Sequence, residues 1–313
     1  MTDINELASS GFVWMFDGPA SHLWPLLVVP SLAAWVSDRA ARSLPPTRAD
    51  WRIAALLAAS PGFAMLTIMA MIFVRTLRHT EPGKGWDHFA QYQGSALAAA
   101  AILGFALSRA ARRHRQLLRL TGLATPPSPR LAGAAVRASI AVRQLPGRSC
   151  EIFVAGILRP IVYVSSGALE RMGEEELAAA LQHERAHVVG NDPVLFALLA
   201  FLRDVSPSSE RAAGAFLQAR ERLADAQAVR SAGSLALASA LIAAVKPAPR
   251  SLPAPGIGGT GSVEWRLEAI LGVEPAGRKA ARPSLGVWGS LALNLLLAAW
   301  PAGHIAIAYQ LCC

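Results

Sequence analysis

Residues 53–74, IAALLAASPGFAMLTIMAMIFV, hold no charged side chain. Wound as an α-helix, such a run crosses about 30 Å of hydrocarbon, and a helix satisfies its own backbone N–H and C=O groups there. It therefore sets the expected class first: a membrane helix, kinked at Pro61-Gly62. Three more apolar runs accompany it, at about 21–36 (with Pro25 and Pro30), 92–108, and Leu285–Tyr309. Composition agrees. The 313 residues are 53% hydrophobic and 16% charged, with mean hydropathy +0.36, too apolar for an ordinary soluble protein.

Basic residues orient these runs. Arg39, Arg42, Arg48 and Arg52 follow the first; Arg109, Arg112, Arg113, Arg115 and Arg119 follow the third; Arg278, Lys279 and Arg282 precede the last. The N-terminal tail has Asp3, Glu6 and Asp17 but neither Lys nor Arg. The Lys/Arg bias puts the N-terminus outside and the first loop inside, and this outweighs Arg75, Arg78 and Lys84 after the second run. The expected organisation is a mostly α-helical membrane protein with about four spans. Residues 1–108 form an N-terminal membrane region with three spans (21–36, 53–74, 92–108). Residues 109–283 form a cytoplasmic α+β domain, and 284–313 a last span ending outside. The net charge of +9 gathers at span ends, so nucleic acid is not an expected partner. Cys150, Cys312 and Cys313 make no CxxC pair and no readable disulfide framework, and the end is not a CaaX box. The acidic start does not resemble a cleaved signal peptide.

Within 109–283, Leu131–Val142 reads as helical. Cys150–Val164 (CEIFVAGILRPIVYV) reads as two short strands, one at an edge because Pro160 cannot donate to a ladder. Glu174, Glu175 and Glu176 open a helix that runs to Val189 and stops at Gly190-Asn191. Asp192-Pro193 is expected to cap the next, PVLFALLAFL, which is too short to span. Ser209 opens another helix, Leu235–Val245 and Val263–Leu271 follow, and residues 246–262 form a Pro/Gly/Ser linker.

Residues 183–187 read HERAH. On a helix, His183 and His187 share a face and can share one tetrahedral ion. Glu184 beside the first histidine can take a proton from a water that the ion polarises. A catalytic zinc needs a third protein ligand. No HxxGxxH extension follows, and the best candidate is Glu221 in ARERLADAQAV. Asp225, one turn on, can accept the free ring N–H of a ligating histidine. Its alternative is a surface ion pair with Arg222 or Arg230.

The order GILRPIVYVSSGAL, EEELAAALQHERAH, ERLAD resembles the membrane-bound gluzincins of the BlaR/MecR type, antibiotic-sensing receptor peptidases. The resemblance implies Zn2+ on His183, His187 and Glu221, Glu184 as general base, and Asp225 in support. It implies an endopeptidase acting on a cytoplasmic protein, a transcriptional repressor or the peptidase itself. Receptor members carry a penicillin-binding sensor after the last span; here the sequence stops at Cys313, so β-lactam sensing by this chain is not expected. HtpX-type quality-control peptidases share HExxH and ExxxD and are the alternative, with a weakly active signalling scaffold as a third. The partners expected are a cytoplasmic protein substrate and the lipid bilayer, with a homo-oligomer left open.

Other polar residues are expected to be less informative. Arg266 reads as a membrane-flanking arginine, with stabilisation of an oxyanion as the alternative. Asn294 is expected to hydrogen-bond a neighbouring helix, His304 to sit at the interface, and His114 to be solvated.

Overall fold

The structure, a computed structural model, describes residues 24–44, 50–78, 86–245, 263–272 and 283–310. The acidic tail, the linker 246–262, the Arg278–Arg282 cluster and Cys312-Cys313 lie outside the described residues, as does the side chain of His304. The chain is mostly helical. Helices α1 (Trp24–Arg42), α2 (Trp51–Arg78) and α3 (Trp86–Thr121) come first, and α11 (Leu285–Gln310) comes last.

Two helical stretches are long and apolar enough to cross a membrane: Trp51–Val74 in α2 and Gln93–Thr121 in α3. The expected first and last spans are also helices, but they do not meet that measure among the described residues. In α1 the reason is visible, because the helix turns polar at Ser37-Asp38-Arg39. Leu97, Phe105 and Leu107 on α3, Leu27 and Trp35 on α1, and Leu295 and Leu296 on α11 are each more than half exposed. So much outward apolar surface marks a face made for something other than water. Helix α3 does not end at residue 108. It runs on through the arginine cluster, and Arg109 and Arg113, one turn apart, both pair with Asp204.

A polar thread ties three of these helices. Asn294 Nδ2 donates to Ser37 Oγ at 3.0 Å, and Ser37 Oγ lies 3.0 Å from Ser60 Oγ, so Asn294 bonds a neighbouring helix as expected. Helix α2 packs on α1 and α11 and also on α7 (Asp192–Val205) and α8 (Glu210–Ala232). At its closest approach, a Cβ on Gly62 would lie 2.6 Å from Leu202 Cβ and 2.8 Å from the Leu202 carbonyl oxygen. Gly62→Ala therefore forces α2 and α7 apart and is expected to cost about 1–3 kcal/mol. Thermal melting of the detergent-solubilised chain checks this. Gly94→Ala, with open space around it, should melt no lower than wild type.

Beyond α3 come α4 (Pro129–Ala138), β1 (Val142–Leu145), β2 (Ile152–Ala155), β3 (Ile161–Ser165), α5 (Ser166–Arg171) and α6 (Glu174–Val189). Past α7 and α8 lie α9 (Ser234–Val245) and α10 (Val263–Ile270). The sheet has three strands in the order β1-β3-β2, parallel between β1 and β3 and antiparallel between β2 and β3. The extra strand, β1, is VRQL, too short and too polar to announce itself. The helix expected over 131–142 stops at Ala138, where Ser139 turns left-handed. Pro160 stands just before β3, the central strand, so it costs the ladder nothing and does not mark an edge. One core joins the sheet to α4, α6 and α9; a second joins α7 and α8 to α1, α2 and α11.

Candidate metal centre

Helix α6 is fixed at its start. Glu176 reaches back to accept the Gly173 N–H at 2.8 Å, and Arg130 and Arg137 hold Glu174 at 2.7 and 3.1 Å. Leu177, Ala180 and Leu181 enter the sheet core. The remaining face meets α8, so His183, Glu184 and His187 are only 1%, 2% and 7% exposed. Helix α8 starts at Ser209, whose Oγ accepts the Ala212 N–H at 3.1 Å, as its sequence predicts. The i, i+4 spacing of α8 then sets Glu221 and Asp225 on the side that faces the two histidines.

The donor atoms converge. His183 Nε2 and His187 Nε2 are 3.1 Å apart, Glu221 Oε2 is 3.5 Å from the first, and Glu221 Oε1 is 3.6 Å from the second. Ligand atoms on a tetrahedral zinc at ~2.0–2.1 Å stand about 3.3 Å from one another, so the triangle fits such an ion. The other ring nitrogens support the fit. His183 Nδ1 lies 2.9 Å from Asp225 Oδ1 and His187 Nδ1 lies 2.5 Å from Asp192 Oδ2. Carboxylates there favour a proton on Nδ1, so Nε2 is the atom each ring has left to offer an ion, beside a third carboxylate. Such a cluster calls for a cation, and His183, His187 and Glu221 could hold a metal ion.

Two arginines close the outer ring. Arg266 Nε and Nη2 donate to Asp225 Oδ2 and Oδ1 at 2.8 and 2.5 Å, and its Nη1 lies 2.9 Å from Glu221 Oε2. Arg220 Nη2 lies 2.5 Å from Asp192 Oδ1. This corrects two expectations. Arg266 is neither a membrane-flanking arginine nor aimed at an open oxyanion position: it is 2% exposed and occupied by two carboxylates. Asp192 does not cap α7; Asn191 holds that position in a left-handed conformation (φ 54°), and the reversal delivers Asp192 to His187. Asp225 is 5% exposed and lies against His183 and Arg266, not in a surface ion pair.

Charge follows from this packing. For His183, burial works against the imidazolium, but Asp225 and Glu221 outweigh it and raise its pKa to about 10. Burial pushes Glu221 the other way, yet the His183 hydrogen bond and the charges of His183, Arg266 and His187 bring it down to about 2. Asp225 is likewise lowered, burial being overcome by His183 and Arg266. Glu184 has no such partner. Burial dominates and lifts its pKa to about 6, against the pull of the two histidines.

A metal must displace the proton that His183 keeps. Below the raised pKa of about 10, apparent zinc affinity is expected to climb about tenfold per pH unit, with about one proton released per ion. Calorimetry in buffers of different ionisation enthalpy measures that release; a pH-independent affinity between pH 6 and 8 would contradict it.

Asp192 and Arg220 carried no signal that distinguishes them in one sequence. Asp192 sits beside a proline in a helix-start pattern, and Arg220 is one arginine among several on α8. Residues 107–252 match the family model of peptidase family M48, a stretch that includes His183, Glu184, His187, Glu221 and Asp225 but not Arg266. No curated protein and no solved structure matches the chain. The family match supports a metallopeptidase, and peptidases of that family are generally zinc-dependent.

Proposed function

We propose that the chain is a membrane-embedded zinc metalloendopeptidase in which His183, His187 and Glu221 hold the ion and Glu184 is the general base. The observation that carries this reading is the convergence of two Nε2 atoms and one carboxylate beside a buried glutamate. Asp225 holds the ring of His183. A zinc ion in that position supplies Lewis-acid polarisation of a carbonyl group and of a water molecule. Glu184, with its pKa lifted to about 6, accepts the proton of the attacking water near neutral pH and passes it to the leaving amine. Strand β2 has an unpaired edge among the described residues, which suits pairing with an extended substrate segment.

The domain is cytoplasmic in this reading, with both termini outside and up to four spans. The positive-inside bias and the outward apolar faces of α1, α3 and α11 support it. The substrate is a cytoplasmic protein in a signalling circuit of the BlaR/MecR kind, a repressor or the chain itself. The resemblance of GILRP and the flanking motifs supports that choice. A quality-control peptidase of the HtpX kind is the second reading. It uses the same site, and the match of residues 107–252 to peptidase family M48 supports a metallopeptidase without selecting the BlaR/MecR kind.

The test compares cleaved cytoplasmic proteins in wild-type and Glu184→Ala cells. One or a few products lost in the variant support signalling, and loss of many unrelated products supports quality control. No product that differs under any condition would overturn the protease reading.

A further inference from the structure

The two metal-facing histidines are supported differently. His183 is held through Asp225 by Arg266, on α10. His187 is held through Asp192 by Arg220, and the guanidinium of Arg220 lies over the ring of Trp51 at 4.8 Å from its centroid. Trp51 is the first residue of α2, whose start is capped by Asp50 Oδ1 accepting the Arg52 N–H at 2.8 Å. One of the two histidines is thus connected, contact by contact, to the end of a helix long and apolar enough to cross a membrane.

The connection is built tightly. Asp192 is 1% exposed and commits one oxygen to His187 and the other to Arg220. Arg220 is 8% exposed, and the face of its guanidinium is covered by an indole at cation–π distance. Gly190 completes the passage, because a Cβ there would stand 2.0 Å from Arg220 Nη2. The guanidinium occupies the space a side chain would fill. A planar, permanently charged group between a carboxylate and an aromatic face has little freedom to re-aim, so a shift of Trp51 is passed to Asp192 and from there to the His187 ring.

We propose that Trp51, Arg220 and Asp192 form a positioning relay that ties the orientation of His187 to the first turn of α2, so that metal retention depends on where that end of α2 sits. The proposal rests on the metal reading of His183, His187 and Glu221, and none of the three relay residues is among the converging donors. Its consequence is a route by which a displacement of the first turn of α2 loosens the ion through His187.

The test uses the full chain in detergent. Zinc affinity is measured by chelator competition and ligand geometry by the visible spectrum of the Co2+-loaded protein. Trp51→Leu and Arg220→Gln are expected to weaken zinc about 10–100-fold and to shift the cobalt bands, as loss of an outer partner of a ligating histidine does. Trp51→Phe keeps an aromatic face and should retain most of the affinity. Should Trp51→Leu fail to fold, Arg220→Lys decides, since it keeps the charge but loses the planar group; it should weaken zinc as Arg220→Gln does. Wild-type affinity and an unshifted cobalt spectrum in Trp51→Leu, or in Arg220→Lys, would overturn the relay. So would an equal loss in Trp51→Phe, which would mark Trp51 as packing only. A wild-type chain that binds no zinc would instead sink the metal reading, and the relay with it.

Discussion

Replacing Glu184 with glutamine is expected to lower peptide hydrolysis by about 10²–10⁴-fold while one zinc remains bound per chain. Glutamine keeps the volume and one oxygen of the side chain but cannot take a proton. Glu184 is not among the three converging donors, which come from His183, His187 and Glu221, so metal content should be untouched. It is 2% exposed, and burial lifts its pKa to about 6, against the His183 and His187 charges that lower it. As the proposed general base, Glu184 would be protonated and inactive below that value and available above it. Activity should therefore rise with pH through about 6, and in Glu184→Gln that rise should vanish together with the rate. Steady-state kinetics on a peptide substrate and zinc analysis of the same samples check both. A variant with wild-type turnover, or one that loses zinc in proportion to activity, would contradict the assignment.

Arg266→Met is expected to give the largest loss of stability, about 3–5 kcal/mol in the metal-free chain. The side chain is 2% exposed and satisfies Asp225 through two parallel hydrogen bonds and Glu221 through a third contact. Methionine fills similar space but leaves the buried Asp225 carboxylate and the partly buried Glu221 carboxylate close together with less positive charge between them. Zinc should recover part of the loss, because it binds the folded state and meets the Glu221 carboxylate. Denaturant unfolding of the solubilised chain, with and without zinc, reads both effects. Stability within about 1 kcal/mol of wild type without metal would show that Arg266 is dispensable to the cluster.

How far the sequence reaches can be judged residue by residue. The pattern HERAH is local: the α-helical period alone puts His183 and His187 on one face and Glu184 beside them, and nothing distant is needed to read it. The same holds for Glu221 and Asp225 on α8, which need only an intervening helix and a return. The helix start at Ser209 and the stop at Gly190 were legible because capping chemistry is also local. By contrast, β1 has just four residues, and its identity as a strand comes from its parallel partner β3, to which no local pattern points.

The outer ring was legible only in part. Asp225 follows from its spacing to Glu221. Asp192 reads as a helix cap until the left-handed Asn191 turns it back under His187. Arg266 reads as a charge flanking an apolar run until the fold brings α10 against α8, a contact between elements that no local rule predicts. Arg220 is one basic residue in a helix with several, and only the proximity of Gly190, Asp192 and Trp51 singles it out.

The amino-acid order by itself determined the apolar helices and the spacing of His183, Glu184 and His187, because each depends on periodicities of a few residues along one element. Tertiary structure decided which carboxylate steadies which imidazole, which arginine neutralises each carboxylate, and how α2 reaches the site. Those are contacts between elements far apart in sequence, and buried charges acquire their partners only when packing excludes water from around them.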